Sequence, residues 1–115
     1  MKNPKLYSDS YQLTLMIFVS TKSFAKHLRP NLGRELELNS LNLTLGLRKS
    51  LIAKKNHRLS KLYGCSEYLD NLKILGQLSF DLKAISPKRF EELSTLSQEI
   101  GRELGGLIKF EANRK

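Results

Sequence analysis

A chain of 115 residues carrying 20 Lys+Arg against 11 Asp+Glu has the length of one domain. Its net charge of +9 and pI near 9.9 point to a polyanionic partner, nucleic acid before an anionic membrane or an acidic protein. The single cysteine, Cys65, excludes an internal disulfide or a cysteine-rich zinc site and fits a reducing cytoplasm.

In chain order, the first predicted helix covers residues 8–26, with Tyr11, Leu15, Phe18 and Ala25 along its apolar stripe. Its stretch LTLMIFV, residues 13–19, is too short to span a bilayer. It also lacks the layout of a signal peptide, because Asp9, Ser10 and Gln12 separate it from Lys2 and Lys5. The expectation is a helix buried on most of its circumference. Pro30 and Gly33 end the segment.

The second predicted helix, 34–53, holds Leu36, Leu38, Leu41, Leu43, Leu45, Leu47 and Leu51 with almost no β-branched or aromatic residue, a composition that favours helix over strand. KKNH, residues 54–57, breaks it. The third helix, 58–83, carries Leu59, Leu62, Tyr63, Leu69, Leu72, Leu75 and Leu82. The fourth, 87–110, has the strongest start signal: Ser86 as N-cap, Pro87 at the first helical position, and Glu91 and Glu92 near the positive end of the macrodipole. From there Phe90, Leu93, Ser97, Ile100, Leu104 and Leu107 step by threes and fours, the spacing of a bundle seam. Short connections then predict an all-α, antiparallel up-down-up-down four-helix bundle in a single domain, residues 1–115.

Three glycines, Gly101, Gly105 and Gly106, lie inside that last helix, each costing roughly 1 kcal/mol relative to alanine. Gly101 and Gly105 share a face, which predicts close approach of another helix. The alternative is fraying after Leu104, with Gly105 and Gly106 as the C-cap.

No catalytic or metal-binding pattern stands out. His27 and His57 sit near breaks, the Glu35/Glu37 and Glu91/Glu92 pairs are explained as helix-start acids, and no phosphate loop or dinucleotide fingerprint occurs. A nonenzymatic protein without cofactor is expected. Charge is what remains. Between Glu37 and Glu67 there is no acid, while Arg48, Lys49, Lys54, Lys55, Arg58 and Lys61 all fall there. In an up-down bundle Lys2, Lys5, Lys109, Arg114 and Lys115 join them at one pole, offset only by Asp9 and Glu111. The other pole mixes Lys26, Arg29, Arg34, Lys83, Lys88 and Arg89 with Glu35, Glu37, Asp81, Glu91 and Glu92. A cationic pole of this kind suits counterion release from phosphates.

The stretches SPKRFEEL and LSQEIGRELGGLIK, residues 86–93 and 96–109, resemble the closing helix of small bacterial four-helix-bundle proteins of the 23S rRNA intervening-sequence type. Among them the chain most resembles the accessory variability determinant (Avd) proteins of diversity-generating retroelements. Gly101, Arg102, Leu104, Gly105 and Gly106 match that family's pattern, while Leu107 stands where a tryptophan is common. The resemblance implies a homopentameric ring with a basic surface. Its partners would be the element's reverse transcriptase and nucleic acid, template RNA and possibly DNA, in mutagenic copying. It also implies that the glycine face packs helices within or between subunits. The competing expectation is a structural protein of the intervening-sequence type with no reverse transcriptase partner.

Overall fold

Runs of leucine at helical spacing, punctuated by proline, glycine and paired polar residues, dictate helices here and leave no strand-period segment to compete. The computed structural model describes residues 4–114. Within them lie four α-helices: α1 Pro4–Thr21, α2 Arg34–Ile52, α3 Lys55–Asp81 and α4 Pro87–Ala112. A π-helical turn, Arg29–Gly33, leads directly into α2, and no strand occurs among the described residues. The helices form a body 49 × 23 × 19 Å. The principal contacts run α1 to α2, α2 to α3, α3 to α4 and α4 back to α1, with α2 against α3 the most extensive. The core sits between all four, built from side chains such as Leu13, Ile17, Leu43, Leu47, Leu62, Leu69, Ile100 and Leu104.

The face that α1 buries differs from the expected one. Leu6, Ser10, Leu13 and Ile17 turn inward, whereas Tyr11 and Leu15 are about half exposed and Ala25 lies outside the helix. Ser10 explains the difference. It interrupts the inward stripe in hydropathy but not in packing, because its hydroxyl donates to Leu6 O one turn back at 2.9 Å and is thereby satisfied in the core. Ser50 and Ser79 repeat the device, donating to Gly46 O and Leu75 O. Within residues 13–19 the helix is buried or half-buried except at Leu15 and Val19, which are exposed.

α1 also stops at Thr21 rather than near Lys26. Ser20, Thr21 and Ser23 turn their hydroxyls onto the carbonyls of Met16, Phe18 and Ser20, so side chains compete for the acceptors that a longer helix would use. Phe24 then folds inward to 2% exposure. Arg29 holds the turn by donating to Phe24 O and Lys22 O at 3.0 and 2.9 Å.

The start of α4 follows the sequence reading: Ser86 Oγ accepts from the backbone N–H of Arg89 at 3.0 Å, with Pro87 next. Phe80 and Phe90 stack at 4.5 Å across the preceding turn. That turn contains Lys83 at φ 59°, the only positive φ outside glycine among the described residues. Lys83 N bonds to Phe80 O and Ala84 N to Ser79 O, the paired bonds of a Schellman end, whose left-handed position favours glycine. Lys83→Gly should therefore raise stability by about 0.5–1 kcal/mol, read as a higher urea midpoint at unchanged slope.

Candidate nucleic-acid interface

The break between α2 and α3 is two residues of extended backbone, Ala53 and Lys54 at ψ 151° and 148°. Such a break is too short to hide charge. Arg48 and Lys49 on the last turn of α2, Lys54 in the break, Lys55 at the first position of α3, where the sequence had suggested a break over 54–57, and Lys61 two turns into α3 are all exposed. Arg48, Lys49, Lys54 and Lys61 have no ion pair among the described residues. α3 moreover opens with no side-chain cap and no acid in its first turn. The positive end of its macrodipole adds to the lysines. Sequence reading took the lysines and missed this helix end, whose signal was the absence of Ser, Thr, Asp or Asn at position 54.

Arg58 belongs to a different class. Its side chain is 12% exposed and its guanidinium donates to Ser50 O at 3.2 Å and Ala53 O at 3.0 Å, closing the C-terminus of α2. It also faces Glu111 of α4, 3.7 Å away, and Arg114 takes the same carboxylate at 3.0 Å while lying over the Phe110 ring. Arg58 and Arg114, expected as nucleic-acid ligands, are thus committed to Glu111, whose side chain is 2% exposed. This clamp nevertheless brings the end of α4, with exposed Lys109, beside the break between α2 and α3.

Lys5 leaves the basic surface as well. Its ammonium lies 2.9 Å from Asp9, 3.1 Å from Glu99 and 2.6 Å from Glu103, so acids beyond Asp9 and Glu111 offset the pole. Contact with these carboxylates raises the Lys5 pKa. Lys5 in turn holds the Glu99 carboxyl below its ordinary value. Burial pushes Glu103 the other way, upward, against the pull of Lys5. The lysine occupies the centre of the three acids, where a cation would otherwise sit. Lys2 and Lys115 lie outside the described residues.

The glycine face fits its expected role in only one position. A Cβ at Gly101 would stand 3.4 Å from Lys73 Nζ and 3.6 Å from Leu69 Cδ2, side-chain contacts with α3, while Gly105 and Gly106 face open space. α4 continues through them to Ala112, so neither the C-cap nor close packing within the chain accounts for that pair. The close approach lies instead at Gly46, where a Cβ would come within 2.8 Å of Cys65 Sγ. Cys65 is fully buried there, and burial pushes its thiol up to about 11, leaving it inert at neutral pH. Gly105→Ala and Gly106→Ala should each raise stability by up to about 1 kcal/mol, checked by urea unfolding. A fall in particle mass on light scattering would instead make these glycines a contact between copies.

Comparison of the sequence with family models and with curated proteins finds no match in either.

Proposed function

We propose that this protein is a nonenzymatic accessory protein of a diversity-generating retroelement, binding nucleic acid and a reverse transcriptase to support mutagenic retrohoming. The observation that carries the nucleic-acid half is the cluster of Arg48, Lys49, Lys54 and Lys61, exposed and without ion pairs among the described residues, around a helix N-terminus with no side-chain cap. Phosphate is the ligand such a cluster serves: mobile cations supply counterion release and the helix end supplies backbone donors. The reverse transcriptase half rests on the resemblance in residues 86–109.

We read the helices as an antiparallel up-down-up-down bundle. What supports this is the order of cross-contacts: Thr14 with Ser40 and Thr44, then Thr21 with Glu37. Cys65 with Leu43 then precedes Asn71 with Asn39, and Arg58 meets Glu111. We read the assembly as a closed homo-oligomer of five subunits in the cytoplasm, which would repeat the cationic end around a ring and enlarge its field.

Co-purification with the reverse transcriptase of the same locus at low salt, together with loss of template copying when this protein is omitted, is the expected result. Absence of both would remove the accessory role and leave the intervening-sequence type of structural protein.

A further inference from the structure

We infer that the groove between α3 and α4 is a binding site for a single adenine nucleotide, its base on the groove floor and its phosphate at Lys73. The groove has a volume of about 270 Å³ over a floor of Leu72, Phe90 and Leu93. Gly76, which lines it, stands about 30 Å along α3 from Lys55, so the site goes beyond the cationic cluster and does not depend on it. Two positions keep the space open. Gly76 is buried, yet a Cβ there would meet nothing on the facing helix within 4 Å, in mid-helix where glycine costs more than any residue but proline. Ser97 is only 6% exposed. Ser10, Ser20, Ser50 and Ser79 each donate to the carbonyl one turn back, whereas the Ser97 hydroxyl makes no hydrogen bond among the described residues. A buried hydroxyl in that state takes its partner from what enters the groove.

Size and chemistry select the occupant. The volume falls just below the usual range for small-molecule sites, which admits one ring system and excludes a partner helix about 10 Å across. An apolar floor suits the face of such a ring. Its edge would meet the Gln98 amide and the Ser97 hydroxyl, neither of which has a partner within the described residues and each of which both donates and accepts. A glutamine amide pairs bidentately with the amine and ring nitrogen of adenine. Gln77 gives its own amide N–H to Asp81 at 3.1 Å and keeps its carbonyl to accept. Charge fixes the rest. Lys73 is exposed, has no ion pair among the described residues, and reaches over α4, its Nζ 3.4 Å from where a Gly101 Cβ would stand. No carboxylate lines the groove, so one cation at its mouth favours an anion, and the phosphate of a nucleotide supplies it.

The test is calorimetric titration of the full chain with AMP, adenosine and inorganic phosphate. AMP should bind once per chain, with adenosine about fivefold weaker for want of the Lys73 contact. Gly76→Leu fills the groove and should weaken AMP about 10-fold or more, while its helical spectrum stays and its urea midpoint holds or rises. Ser97→Ala should weaken AMP about fivefold without lowering the midpoint, because the hydroxyl has no bond within the chain to lose. No binding of AMP at about 5 mM, a level that would detect even millimolar affinity, overturns the site. So does AMP binding that neither variant changes, and inorganic phosphate that binds as well as AMP overturns the base. The Arg48, Lys49, Lys54 and Lys61 glutamine variant should bind AMP as the wild type does, so this site and the cationic cluster fail separately. A strand of four adenylates separates the two sources of the ligand: displacement of AMP by the strand assigns the groove to a base of bound RNA, and failure to displace it assigns the groove to the free nucleotide.

Discussion

Glu111→Ala should lower the unfolding free energy by about 3 kcal/mol, the low end of the range for removing one partner of a buried ion pair. Glu111 is the one carboxylate that Arg58 and Arg114 share, and its side chain is 2% exposed. Without it the Arg58 guanidinium keeps its bonds to Ser50 O and Ala53 O but retains a charge that nothing balances. Those surviving bonds are why the loss stays at the low end. For a domain whose whole stability is about 5–15 kcal/mol, the effect would be plain in urea unfolding followed by circular dichroism. A loss below about 1 kcal/mol would place the pair with ordinary surface bridges. The same geometry disqualifies Arg58→Gln as a probe of nucleic-acid binding, because that change opens the end of α2 before it alters any contact with phosphate.

The clamp also marks where sequence reading reached its range. Leucine spacing and the Ser86–Pro87 start determined that four helices form and where α4 begins, because those features act within one or two turns. Which of two stripes on α1 turns inward depended on Ser10, whose polar label hides a hydroxyl already satisfied by Leu6 O. The exposed Tyr11 and Leu15 were read as core for the same reason. At the site, Arg48, Lys49, Lys54 and Lys61 were legible as an acid-free run. The capture of Arg58 by Glu111 was not, since 53 positions separate them and charge alone does not reveal which cation a buried carboxylate takes. Gly46 escaped notice because nothing local distinguishes it from Gly105: one abuts Cys65 and the other open space.

Changing Arg48, Lys49, Lys54 and Lys61 together to glutamine should flatten the salt dependence of RNA binding by about 3 units of log affinity per log salt, if each neutralises one phosphate. Between 50 and 200 mM salt the wild type should then lose about 50- to 150-fold more affinity than the variant, across all sequences alike. Stability should change little, because none of the four side chains is buried or ion-paired among the described residues. The control, with two cations removed at the other end, is Lys83→Gln/Lys88→Gln. Lys83 follows the C-terminus of α3 and Lys54 precedes its N-terminus, with 27 helical residues between, a span of about 40 Å. That distance is several times the Debye length of about 10 Å at 0.1 M salt, so charges at the far end contribute little to a phosphate held at the near one. The control should keep the wild-type slope. A control that flattens the slope by about half as much as the quadruple variant, in proportion to its two cations against four, would mean that the whole charge of the chain, rather than this end of it, attracts RNA.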